Sequence, residues 1–241
     1  MSTGRGLRVL QLYPRALNVY GDRGNAIALA RRLVWHGYDV DLLEHNPGDA
    51  LPSAVDIVIG GGGQDSDQLA ILDDVLRIRP WLDSVIDDYT PMLAVCGMYQ
   101  LLGDYFTTSG GMRTLGAGVL DLWTDAAPGR IVGNVSATSA EFGTILGFEN
   151  HGGRTTLGNG MRPLARTRTG EGNNGLDRTE GVRYRNVIGT YLHGALLPKN
   201  PAIADFLIGA AAVRKYGSFH PDVLDDDLEL RARRVASRLR R

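Results

Sequence analysis

The chain has a single cysteine among its 241 residues, so no disulfide can close within it and no cysteine-rich zinc site can form. Histidine is scarce too. His36, His45, His151, His193 and His220 are scattered without HxxxH or HxH spacing, which argues against metal chemistry. Charge is balanced, with 26 basic residues against 27 acidic ones, so no bulk attraction to nucleic acid or an anionic membrane is expected. No apolar run approaches the roughly 20 residues of a membrane-spanning helix. The N-terminus carries no apolar segment followed by a small-residue cleavage site. These absences lead us to expect a cytosolic protein with no membrane span. Its single domain over 1–241 would be held by a core drawn from the 43% of hydrophobic residues rather than by covalent or metal staples.

What is present is an alternation of strands and helices. Arg8–Pro14 reads as a short apolar strand stopped by proline, and a glycine-punctuated loop follows at Asn18–Asn25. Ile27, Ala30, Leu33 and Val34 fall at helical spacing and predict a helix over 25–36. Strands are expected at 38–43 and 54–59. Gly60–Gly63 leads through Asp65, Ser66 and Asp67, suitable helix caps, into helical sequence to about 88. A fourth strand, Met92–Val95, runs into Cys96, with helix again over 98–105. Such alternation implies a largely parallel sheet whose functional groups gather at the carboxyl ends of the strands. The second half reads as more strand-rich, at 117–123, 130–138, 144–149, 163–168, 182–184 and 187–192, with a turn or loop at Gly170–Gly175. Helix returns over 201–216. The last segment, about 222–241, passes from Asp225–Asp227 to six arginines, the charge order that suits a solvated helix.

The lone cysteine lies in Val95-Cys96-Gly97-Met98, between a buried strand and a helix. A turn of that kind thrusts the side chain out of the sheet edge, over the unpaired N–H groups that begin the helix, and those groups favour negative charge. It resembles the nucleophile elbow of α/β-hydrolases with Cys in place of Ser. The plain alternative is a buried core thiol, and the turn alone does not choose between them. Gly60-Gly61-Gly62-Gly63 exposes backbone amides beside the same edge. It suits an oxyanion hole, a phosphate loop or a simple tight turn, although no GK[ST] follows to support the phosphate reading. A nucleophilic cysteine needs a base. His193, in Gly189-Thr190-Tyr191-Leu192-His193-Gly194, ends an apolar strand, and His151 is its rival.

Together, Gly60–Asp65, Val95–Gln100, Gly147–Thr155 and Gly189–Gly194 resemble the class I glutamine amidotransferase domain in its cobyric-acid-synthase-like branch. Asn18–Asn25 and Gly147–Thr155 are further similar to the GatD-like glutaminase subunits of lipid II isoglutaminyl synthases. The resemblance covers about 8–208. It implies a three-layer, flavodoxin-like α/β fold and hydrolysis of L-glutamine through a γ-glutamyl thioester. In the heterodimer it implies, a Mur-ligase-like (MurT-like) synthetase uses ATP and Mg to amidate the D-glutamate α-carboxylate of lipid II, and this chain itself holds no cofactor or metal. The only membrane contact implied is peripheral, through lipid II. By position, the resemblance makes Cys96 the nucleophile, His193 the base and Arg130 the residue that selects glutamine. Gly62 and Gly97 are the oxyanion-hole candidates. One departure stands out: Ala195 occupies the position, two beyond the histidine, where many class I members carry a glutamate. Glu149, Asp22 or a partner aspartate would have to orient the imidazole, and the partner aspartate is the expected one. Two other readings are a subunit serving a cobyrinate-type acceptor and a non-enzymatic flavodoxin-like binding module.

Overall fold

The computed structural model describes residues 4–238. Chain order is β1 (Gly6–Leu12), α1 (Arg23–Trp35), β2 (Asp39–His45), β3 (Ile57–Gly60), α2 (Asp65–Arg77), α3 (Arg79–Asp87), β4 (Met92–Val95), α4 (Gly97–Leu101), β5 (Tyr105–Thr107), β6 (Arg113–Leu115), β7 (Leu122–Ser139), β8 (Gly143–Leu157), β9 (Ala165–Thr169), β10 (Thr179–Glu180), β11 (Val182–Tyr184), β12 (Val187–Thr190), β13 (Leu192–His193), α5 (Leu196–Lys199), α6 (Pro201–Tyr216) and α7 (Asp227–Ala236).

Six strands form a central sheet in the order β11-β12-β4-β3-β1-β2, parallel throughout except for β11. The largely parallel α/β sheet expected from the sequence is therefore present. β3 and β4 are buried along their whole length, as strands covered on both faces must be. From β1 the chain crosses through α1 to one neighbour. From β3 it crosses through α2 and α3 in the opposite direction. The winding reverses between β1 and β3, so the loops that follow them lie side by side, the arrangement that opens a crevice in such sheets.

Most strands after α4 build a separate sheet, β10-β9-β7-β5-β6, with β8 paired to β7 and β13 to β8, while β11 and β12 return to the central sheet. Its spine is the long antiparallel pair β7–β8, whose register breaks between Ala126 and Ile131. Expected strands at 130–138 and 144–149 are parts of these longer strands, and 117–121 is loop. β13 pairs with β8, while β12, two residues earlier, pairs with β4 of the first sheet. Tyr191 thus sits where the chain changes sheets.

Three further differences have local causes. The helix expected to run to about 88 is two helices, because Pro80 at the start of α3 cannot continue α2. Gln64, not an aspartate, caps α2, with Asp67 closing the capping box. The helix after Cys96 ends at Leu101, and Tyr105 already pairs in β5. α7 buries no residue of its own. It is tied down by Arg32, which joins Asp226 to Asp205, and by Arg233, which donates to the carbonyls of Lys199 and Thr144. Arg240 and Arg241 of the arginine-rich tail lie outside the described residues. Among the described residues, no helix is long and apolar enough to cross a membrane.

Candidate active site

Cys96 follows β4 with φ 49° and ψ −103°, a conformation that costs free energy in a residue with a Cβ and persists only where the surroundings impose it. The surroundings are visible. Its amide donates to the Thr190 carbonyl at 2.8 Å, and its carbonyl accepts from Gln100 at 3.0 Å. The side chain is 5% exposed and contributes to a cavity of about 730 Å³.

His193 ends β13 and is 1% exposed. It meets Cys96 across Gly62. A Cβ on that glycine would lie 2.7 Å from His193 Cε1 and 3.1 Å from Cys96 Cβ, so only glycine leaves the two side chains facing each other. The sharp turn after β13, with positive φ at Gly194 and Ala195, carries the chain away from the site. Tyr20 covers the imidazole, ring centroids 4.3 Å apart. Burial pushes the His193 pKa down, but attraction to Cys96 and contact with Asp22 outweigh it and raise the value to about 9.

With Ala195 in place of a glutamate, three buried carboxylates near His193 remain: Asp22, Glu149 and Glu180. Asp22 Oδ1 is 3.8 Å from His193 Nδ1, too far for a hydrogen bond. Its other oxygen accepts from the Gly62 amide at 2.9 Å. Glu149 is buried, and its carboxylate accepts from the amides of Glu171 and Gly172. Glu180, which no motif marked, accepts from Thr190 Oγ1 and the Tyr191 amide and so braces the chain just before His193. Burial raises its pKa to about 7. Asp22 Oδ1 and both ring nitrogens of His193 remain buried without a partner.

Gly62 does not match the expectation of a free oxyanion donor, because its amide is committed to Asp22. The amides beside Cys96 that take no acceptor among the described residues are those of Gly63 and Gly97. They are close neighbours, since a Cβ on Gly97 would lie 3.0 Å from the Gly63 nitrogen.

Arg130 reaches the cavity from the register break in β7, within a strand rather than at its start. Bulges of this kind often re-aim a side chain at a site. Its guanidinium donates to the side chain and carbonyl of Asn150, both at 3.0 Å, and to the Tyr20 hydroxyl at 3.3 Å. His151 is a poor rival base. Burial pushes its pKa down to about 3, so it stays neutral. Its Nδ1 donates to the Gly153 carbonyl at 2.8 Å.

Gln68, Gln100 and Asn150 complete the cavity wall. Gln100 was legible in principle, since it lies one helical turn beyond Cys96 and shares its face. Gln68 and Tyr20 carried no such signal, because only the adjacency of the loops and helices brings them in.

Comparisons with known proteins identify the family of the chain and its fold. Residues 8–201 match the CobB/CobQ-like glutamine amidotransferase domain. The chain is 40% identical over 220 residues to the lipid II isoglutaminyl synthase (glutamine-hydrolyzing) subunit GatD of Staphylococcus aureus, with 91% of this chain and 90% of that protein aligned. The GatD subunit of Streptococcus pneumoniae is 38% identical, over 88% of this chain and 82% of its own. A cobyric acid synthase of Sinorhizobium medicae is 34% identical, over 70% of this chain but 35% of that protein. Among solved structures, a glutamine amidotransferase superposes with TM-score 0.61 at 18% identity, over 86% of this chain and all of that one. Another, from Thermotoga maritima, gives 0.56 at 14%, over 96% of this chain and 94% of its own. The chain belongs to the CobB/CobQ-like glutamine amidotransferase family.

Proposed function

We propose that this chain is the glutaminase subunit of a lipid II isoglutaminyl synthase and works through a thioester on Cys96. The observation that carries the reading is Cys96 on its strained turn, facing His193 across Gly62, in a cavity that also holds Arg130. The guanidinium of Arg130 binds the α-carboxylate of L-glutamine as a fork. The sulfur attacks the side-chain amide carbon, and the C–N bond breaks as the imidazole proton passes to the departing nitrogen, releasing ammonia. Water, deprotonated by His193, then hydrolyses the γ-glutamyl thioester to glutamate and restores the thiol. The amides of Gly97 and Gly63 stabilise the oxyanion of both tetrahedral intermediates. Gly62 helps by holding Asp22.

Ammonia passes to a Mur-ligase-like partner that binds ATP and Mg, activates the D-glutamate α-carboxylate of lipid II and forms D-isoglutamine. The chain works in the cytoplasm as half of a heterodimer and meets the membrane only through the lipid II held by that partner. Alignment over nine-tenths of the GatD relative, against about a third of the cobyric acid synthase, favours the lipid II acceptor over a cobyrinate one.

Asp22 stops short of His193, and no glutamate follows the histidine. The orienting carboxylate is therefore an aspartate of the partner, which keeps glutamine hydrolysis low until docking. The test is labelling with 6-diazo-5-oxo-norleucine, read by intact mass on wild type and Cys96→Ala, with and without the partner. One adduct on wild type only, gained faster in the complex, is the expected result. No adduct under any condition would return Cys96 to a structural role. Equal rates of glutamine hydrolysis in the isolated chain and the complex would place the orienting group within this chain, at Asp22 or Glu149.

A further inference from the structure

Tyr191 lies outside the cavity, fully buried at the point where the chain passes from one sheet to the other. Its ring stacks on His151, centroids 3.7 Å apart and planes 8° from parallel, and meets Tyr99 edge-on at 5.3 Å. Its hydroxyl accepts from Gln100 Nε2 at 2.9 Å and lies 2.6 Å from Thr155 Oγ1. Either hydroxyl can donate between Tyr191 and Thr155, and Thr155 Oγ1 lies 2.8 Å from Thr124 Oγ1. At its other end Gln100 accepts from Gln68 Nε2 at 2.9 Å, and the same nitrogen lies 3.3 Å from the Gly97 carbonyl. One chain of hydrogen bonds thus runs from the β7–β8 core to the residue after the nucleophile. It leaves the Gln100 amide a single orientation.

The packing is as restrictive as the bonding. A Cβ on Gly153 would lie 2.5 Å from Gln100 Nε2 and 3.3 Å from the Tyr191 hydroxyl, so both groups pack directly against the Gly153 backbone. His151 is held between the Tyr191 ring and the Gly153 carbonyl, and its Nε2 is left without a partner. Gln68, Gln100 and His151 all line the cavity, and each is held directly or through its neighbour by Tyr191.

We infer that Tyr191 is a positioning residue for glutamine binding, fixing Gln100 through its hydroxyl and His151 through its ring, and acting on affinity rather than on the bond-making step at Cys96. The inference rests on the glutaminase reading above. It concerns the wall that receives the amino acid, whereas Cys96 and His193 act on the amide.

The experiment follows the labelling of Cys96 by 6-diazo-5-oxo-norleucine against reagent concentration, using the full chain with its co-expressed partner. It yields a half-saturating concentration and a maximal rate. Tyr191→Phe keeps both ring contacts and removes the hydroxyl. It should raise the half-saturating concentration about tenfold, the worth of one buried hydrogen bond, and leave the maximal rate within about threefold. In a Gln100→Ala background the same change should add less than about twofold, because both variants break one path. Thr155→Val, which removes the hydroxyl's other hydrogen-bond partner and leaves Tyr191 whole, should move the half-saturating concentration in the same direction. It also keeps the test open if Tyr191→Phe folds poorly. An unchanged half-saturating concentration, a fall confined to the maximal rate, or multiplicative effects in the double variant would each overturn the inference. Wild type that takes no label is a distinct outcome: the glutaminase reading fails first, and the inference falls with it.

Discussion

Two histidine–aspartate pairs stand at strand ends in this molecule, and they are finished differently. His45 closes β2 and lies 2.9 Å from Asp74 of α2. Asp74 also accepts from the Tyr13 hydroxyl at 2.9 Å, the Gly48 amide at 3.0 Å and Arg77 at 2.7 Å. Burial would raise its pKa, but these donors outweigh it and hold the value at about 2. His193 and Asp22 are just as buried, yet they stand 3.8 Å apart, and three of their four side-chain polar atoms have no partner. A buried carboxylate surrounded by donors holds a loop to a helix. Unmatched polar atoms beside a cavity are kept for groups that arrive later. Residue types are the same in both pairs. What differs is how much of their hydrogen-bonding capacity the fold itself consumes.

The contrast can be broken most decisively at the site. Cys96→Ala or His193→Ala should lower glutamine hydrolysis by about a thousandfold or more and barely move the thermal midpoint. A large loss of stability in either variant would mean that the open pair is structural after all. Asp74→Ala should do the reverse. Removing one partner of a buried charged network costs roughly 3–5 kcal/mol, read as a shift in the urea midpoint, while hydrolysis at low temperature stays near wild type.

Titration sharpens the comparison further. His151 is neutral in the folded chain, with a pKa of about 3 against an ordinary 6.5. Its contribution is present above pH 6.5 and is lost as pH falls toward 3, because only the unfolded chain takes up the proton over that range. His151→Phe should make the acid-induced loss of stability at pH 4 smaller by on the order of 2–3 kcal/mol. Glu180, whose pKa is raised to about 7, works in the opposite direction, losing its contribution as pH rises from its unfolded value through 7. The acid limb of the histidine variant therefore isolates His151. The smallest effect is expected at Arg130, which is exposed and keeps its charge when replaced by lysine. Arg130→Lys should raise KM for glutamine about tenfold by losing the planar fork, with kcat little altered. A fall in kcat alone would move Arg130 from binding to chemistry.

Local signals made much of this legible. The alternation of apolar strands with helices of 3.6-residue period predicts the parallel sheet, and a cysteine between strand and glycine predicts the elbow. Pro80 and the Gln64 cap are local corrections to that reading, but at two further places a longer-range contact decided. β7 and β8 are longer than their apolar stretches because each supplies the other's hydrogen bonds. Gly62 differs from the expected donor because Asp22, forty residues earlier, claims its amide.

The sequence by itself determined the chemistry on offer: one thiol at a strand-to-helix turn, a histidine between an apolar strand and a glycine, and alanine two residues beyond it. Spacing along the chain and local backbone geometry suffice for that. Only the tertiary structure decided which of these groups meet. The loops after β1 and β3 adjoin because the winding of the sheet reverses between them, and that adjacency brings Asp22 to Gly62. Pairing of β13 with β8 rather than with the first sheet sets His193 across from Cys96, and packing around Tyr191 orients the cavity wall. Those are contacts between residues 40 to 100 positions apart, and their geometry follows from which surfaces bury one another, which no local pattern encodes.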